Sequence, residues 1–112
     1  MKARPQSATA SASEVDPGAL QDVLQALADP VRRSIIRQLA ESSAPISCGS
    51  FDLWVAKSTL TYHFNMLRSA GIIHQFEQGT SKMNLLRKDD VDAAYPGLLD
   101  SVLAATASES HS

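Results

Sequence analysis

Residues 57–73, KSTLTYHFNMLRSAGII, constrain the fold more than any other stretch of the chain. Leu60, Phe64 and Leu67 recur at spacings of four and three, the period of a helix with one buried face. A helix from a Ser58 cap to about Ala70 is therefore expected. Gly71 then stands where helices commonly leave through a left-handed residue. Two strand-like runs follow, Ile72–Glu77 and Lys82–Arg87, with Gln78-Gly79-Thr80-Ser81 as a tight turn between them.

Two amphipathic helices are expected upstream. In PGALQDVLQALAD, Asp16 stands in capping position and Pro17 as the first helical residue, with Leu20, Val23, Leu24 and Leu27 as the apolar stripe. DPVRRSIIRQLAES restarts at once. Asp29 is placed to cap, Pro30 sits where a missing N–H costs nothing, and Val31, Ile35, Ile36 and Leu39 form the stripe. In APISCGSFDLWVA, Ser50 is expected to cap a short helix over residues 51–55, with Trp54 in the core or else lining a cavity. Downstream, Asp89 caps a short helical piece. Pro96 then opens a last helix whose stripe is Leu98, Leu99, Val102 and Leu103. Residues 1–14 are rich in Ser, Ala and Thr without apolar periodicity and read as a disordered tail; residues 107–112 read as frayed. One domain over residues 15–106 remains. Its order of helix, helix, short helix, helix, hairpin, helix is that of a winged helix-turn-helix, mainly α with a β-hairpin wing.

Charge indicates what the outer surface meets. The chain carries a net −2, but residues 30–88 hold eight basic and three acidic side chains, net +5, against −7 in the flanks. A basic middle suits a polyanion. On a wheel of about 100° per residue, Ser58, Thr61, Tyr62, Asn65 and Ser69 lie opposite the core face, with Arg68 at the margin. Such short hydrogen-bonding side chains at the front of a helix can reach base edges in a major groove. Lys57 stands just before them, where a helix N-terminus favours phosphate. His63 lies near the edge of the core face and reads as a structural or phosphate-contacting residue.

LADPVRRSIIRQLAES, KSTLTYHFNMLRSAGII and GTSKMNLLR together resemble the ArsR-type winged-helix repressors, over about residues 19–104. The resemblance implies a homodimer on an inverted-repeat operator in double-stranded DNA. It implies a recognition helix over residues 58–69 and a wing over 78–82, which carries Thr80 and Lys82. It also implies dimer contacts through the first and last helices. There Leu20, Val23, Leu24 and Leu27 meet Leu98, Leu99, Val102 and Leu103, stripes that are more apolar surface than one small core is expected to hide.

The sequence departs from the metal-sensing members of that family. A zinc site needs three or four converging ligands. Cys48 stands alone, the last helix has no histidine, and His63, His74 and His111 are scattered. No metal and no cofactor are expected. Cys48, if it precedes a helix at Ser50, offers an alternative as a thiol redox sensor, although a single cysteine is often a small buried hydrophobe. No catalytic constellation is legible, so no enzyme is expected. No run is long enough to cross a bilayer and no secretory leader is visible, which with the lone thiol implies a cytoplasmic protein away from membranes. A small-molecule effector is compatible with the sequence, which does not identify it. A winged-helix module that binds protein instead of DNA is the rival of a different class.

Overall fold

The computed structural model describes residues 17–110. The tail read at residues 1–14, the Asp16 cap and His111 lie outside the described residues. The elements are α1 (Leu20–Leu27), α2 (Pro30–Glu41), β1 (Ile46–Ser47), α3 (Lys57–Ser69), β2 (Ile73–Gln78), β3 (Ser81–Leu86), α4 (Lys88–Ala94) and α5 (Leu98–Ser110). The strands form an antiparallel sheet in the order β1-β3-β2. This is a winged helix-turn-helix.

The start of α2 organises the helices. Asp29 Oδ1 accepts from the backbone N–H of Val31 at 2.7 Å and of Arg32 at 3.3 Å, and Pro30 is the first helical residue. This satisfies donors that every helix start leaves open. Arg32 and Arg33 then reach back to the end of α1. Arg32 donates from Nε to the Ala26 carbonyl at 2.7 Å and from NH2 to the Gln25 carbonyl at 3.1 Å, while Arg33 NH1 donates to the Leu27 carbonyl at 2.8 Å. Two cations thus close the negative end of the α1 dipole. The remaining Arg32 nitrogen, NH1, meets His63 Nδ1 of α3 at 3.0 Å. One buried guanidinium joins three helices.

Val23, Ile35, Ile36, Leu67, Ile72, Val91 and Leu99 fill the core beneath and are shielded from solvent. Burial of each such side chain stabilises by about 1.5–3 kcal/mol. The end of α3 is set by a Schellman motif: Ile72 N–H bonds the Leu67 carbonyl and Gly71 N–H the Arg68 carbonyl, each at 3.0 Å. Gly71 has φ 77° and Gly79, in the hairpin turn, φ 64°. Both positions disfavour a side chain, so both glycines act as expected. At the far side Lys88 bonds Asp92 at 2.6 Å and Asp100 at 3.2 Å, tying α4 to α5. The Asp92 and then the Asp100 hydrogen bond hold this ammonium above the ordinary lysine range.

Several expectations fail for physical reasons. α1 begins at Leu20, not Pro17, because the Gly18 backbone is engaged elsewhere: its N–H bonds the Ala70 carbonyl at 3.0 Å and its carbonyl accepts from Tyr95 Oη at 2.6 Å. No helix forms over residues 51–55. A single 3-10 turn, Cys48–Ser50, gives way to extended chain in which Phe51, Leu53 and Val55 turn inward while Asp52 and Trp54 face out. The period there is two, and Trp54 is 65% exposed rather than core. α3 begins at Lys57 with Ala56 as its cap residue, so Ser58 lies inside the helix. Asp89 sits in the first turn of α4 instead of capping it. α5 begins at Leu98, after the Pro96-Gly97 turn, and runs to Ser110, past the expected fraying point. Strand β1 was not foreseen, since two residues carry no alternation.

The apolar stripes are also divided differently. Val23, Leu27 and Leu99 are 0%, 4% and 0% exposed, inside the protomer's own core. Leu20 and Leu24 remain exposed on α1, and Leu98, Val102 and Leu103 of α5 are half-buried.

Replacing Arg32 with Met leaves the Ala26 carbonyl and His63 without the Arg32 donor, and leaves the Gln25 carbonyl with the Ala28 N–H alone. We expect a loss of about 2–4 kcal/mol in urea unfolding, against about 1 kcal/mol for Asp29→Ala. An Arg32→Met loss no larger than the cap's would show that the guanidinium does not join the helices.

Candidate nucleic-acid interface

The exposed side of α3 has two strips. At about 100° per residue, Lys57, Thr61, Asn65 and Arg68 form one, turned toward the hairpin. Ser58, Tyr62 and Ser69 form the other, opposite the core. All seven are exposed, while Phe64 and Leu67 are buried and Leu60 is half-buried. His63 is 6% exposed and turned away from this surface, onto Arg32. Since the guanidinium can only donate, Nδ1 accepts, and the imidazole proton belongs on Nε2. Tyr62 stands outside this pair. Its ring meets His63 edge-on at 5.4 Å between centroids and lies 5.8 Å from the Arg32 guanidinium carbon. The pair anchors α3 from below and steadies the aromatic side chain on its outer face.

The hairpin supplies the facing wall. Lys57, Thr61 and Asn65 line one groove together with Leu60, Phe64, Gln75 and Lys82. Asn65 and Arg68 line an adjoining depression with Gln75, Phe76, Glu77 and Lys82. Five of the eight residues assigned from sequence therefore come together: Lys57, Thr61, Asn65, Arg68 and Lys82. Ser58 and Tyr62 lie on the outer strip, and Thr80 is exposed in the turn that forms the wing tip.

Gln75 and Glu77 belong to this surface and were missed. Alternation along β2 places residues 73, 75 and 77 on one face, and that signal would have found them. Glu77 pairs with Lys82 across the strands at 3.8 Å. Both side chains are more than half exposed, so the pair contributes about 0–1 kcal/mol and leaves the ammonium able to meet a phosphate.

Beneath the groove lies a polar network. Buried Asn84 accepts from Gln75 Nε2 at 2.8 Å and donates to the Ile46 carbonyl at 3.1 Å. The same Asn84 amide nitrogen lies 3.3 Å from Cys48 Sγ, and Gln75 Nε2 lies 3.8 Å from it. This fixes Cys48 at the groove edge, at the start of the 3-10 turn, not before a helix at Ser50. No group of three potential metal ligands occurs among the described residues. His74 stacks on Phe76 with centroids 5.7 Å apart.

A further clamp secures the approach to α3. The Gln38 side chain donates to the Asp52 carbonyl at 2.9 Å and accepts from the Asp52 N–H at 3.0 Å, as a neighbouring strand would. Phe51 packs against Phe64 with ring centroids 5.4 Å apart. Together they hold the extended segment that stands where a helix was expected.

A polar-faced helix followed by a wing, with cations on both, is the surface of a DNA-binding regulator. Comparison with known proteins gives the family. Residues 27–75 match a family model described as a helix-turn-helix domain. An uncharacterized HTH-type transcriptional regulator of Bacillus subtilis, YceK, is 34% identical over 82 residues, 71% of this chain and 82% of that protein. A second uncharacterized HTH-type regulator, from Methanocaldococcus jannaschii, is 33% identical over 60 residues, 53% of this chain and 67% of the relative. The crystal structure of an ArsR family transcriptional regulator superposes with a TM-score of 0.58 at 27% identity, covering 73% of this chain and 84% of the other. The chain belongs to the ArsR-type helix-turn-helix transcriptional regulators. No helix among the described residues is long and apolar enough to cross a membrane.

Trp54 is the chain's one tryptophan, so its fluorescence reports the extended segment directly. We expect acrylamide to quench it nearly as well as free tryptophan. Strong protection in the native protein would place Trp54 in a core and contradict the segment's alternation.

Proposed function

We propose that the protein is a homodimeric transcriptional repressor that binds an inverted-repeat operator and releases it on a signal other than a metal. The observation that carries this reading is the shared groove. Lys57, Thr61 and Asn65 of α3 and Lys82 of β3 line it together. In this reading α3 enters the major groove. Ser58, Thr61, Tyr62 and Asn65 face base edges, Asn65 being able to pair bidentately with adenine. Lys57, Arg68 and Lys82 meet phosphates, and Thr80 at the wing tip approaches the backbone beside them. Exposed Leu20 and Leu24, with the half-buried Leu98, Val102 and Leu103, form the contact with a second copy. Two-fold pairing presents two recognition helices to half-sites about 34–36 Å apart.

Purified protein is used to select bound genomic fragments, and the enriched operator is compared with a scrambled duplex at several salt concentrations. Asn65→Ala should cost about 1–3 kcal/mol on the operator and little on the scramble. Arg68→Ala should weaken both and flatten the salt slope by about one phosphate per subunit. Equal losses on both duplexes for Asn65→Ala would mean that this strip does not read bases. Binding that ignores salt would point to a protein-interaction module instead.

Sedimentation at micromolar concentration should give twice the protomer mass. Leu24→Glu should shift it toward the protomer while leaving the unfolding transition cooperative. A monomeric parent protein would refute the dimer.

A further inference from the structure

The groove between α3 and the hairpin has a feature that DNA reading does not use. Its volume is about 430 Å³, within the roughly 300–1,000 Å³ of small-molecule sites. The floor is apolar, made by Leu60 and Phe64, while Lys57 and Lys82 approach from the helix and from the strand. Thr61 and Gln75, which also line the groove, add hydrogen-bonding groups. A phosphate needs cations and donors but gains nothing from an apolar floor. An organic anion with an apolar body uses both. Lys57 has no ion-pair partner among the described residues, and Lys82 has the exposed 3.8 Å contact with Glu77. A carboxylate can therefore form charge-assisted bonds here without breaking a buried pair.

We infer that this groove binds a small monocarboxylic acid with an apolar body, and that the bound acid releases DNA. The release rests on the repressor reading, in which Lys57, Thr61 and Asn65 face DNA. An acid over Leu60 and Phe64 takes the same lysine and stands in the path of the duplex. Coupling is then direct competition and needs no change of shape.

Gly49 provides the test. It lines the groove, and a Cβ added there meets no atom within 4 Å. A side chain can start there without a clash at Cβ, and Gly49→Leu adds apolar bulk at the groove wall. The full chain is titrated by calorimetry with octanoate and, as an uncharged match, with octanol. We expect saturable octanoate binding at one per chain, octanol at least about tenfold weaker, and no octanoate binding to Gly49→Leu, whose unfolding midpoint matches the parent. Saturating octanoate should lower operator affinity about tenfold or more. Absence of saturable binding, equal affinity for octanol, undiminished binding by Gly49→Leu, or a stable complex of protein, acid and operator would each overturn the inference. A failed titration leaves operator binding intact. Acid binding by a protein that binds no operator would overturn the repressor reading and the release with it.

Discussion

The Arg32 guanidinium is the interaction on which the rest depends. It is 7% exposed and uses its nitrogens on two carbonyls of α1 and on the imidazole of α3. A buried cation with no carboxylate in direct contact among the described residues is costly. Here the helix-end carbonyls offset that cost, since they carry the partial negative charge of the α1 terminus. The arrangement is reciprocal: the carbonyls need donors, and the guanidinium needs acceptors. It sets where α1 ends, how α2 crosses it and how α3 lies against both. Tyr62, on the exposed side of α3, rests against the same pair.

Positioning of α3 from its other end is less regular. In a helix-turn-helix, a helix ahead of the recognition helix usually braces it. Here that place is taken by extended chain. Its backbone polar groups still need partners, and the Gln38 amide supplies both a donor and an acceptor at Asp52. Phe51, seated on Phe64, provides the apolar contact. The groove between α3 and the hairpin opens beside this segment. Cys48 and Gly49, at the start of this segment, form part of that groove's wall.

The charge distribution follows from the same placement. Lys57 and Arg68 come from one helix and Lys82 from a strand, and only the hairpin's fold-back brings them to one surface. The −2 of the whole chain says little about it. Acidic side chains sit elsewhere: Asp92 and Asp100 are engaged by Lys88 on the α4–α5 side. Glu77 lies inside the basic surface and is tied to Lys82.

Local rules made much of this legible. Asp29-Pro30 specifies a helix start through capping and a fixed φ. Gly71 and Gly79 specify the exit of α3 and the hairpin turn through positive φ, and the period of Leu60, Phe64 and Leu67 specifies which side of α3 turns inward. These depend on a few neighbouring residues, so the sequence alone determined them, and with them the winged-helix order. What only the tertiary structure decided involves partners far apart in the chain. Phe51–Val55 became extended because Gln38, fourteen residues away, claims the Asp52 backbone. Pro17–Ala19 stayed out of α1 because Ala70 and Tyr95 bind Gly18. Val23, Leu27 and Leu99 look like Leu20 and Leu24 in any periodic reading, yet the packing of α1 and α5 over α2 sends the first three into the core and leaves the other two outside. Periodicity marks an apolar face, but only the assembled core shows how much of that face it can cover.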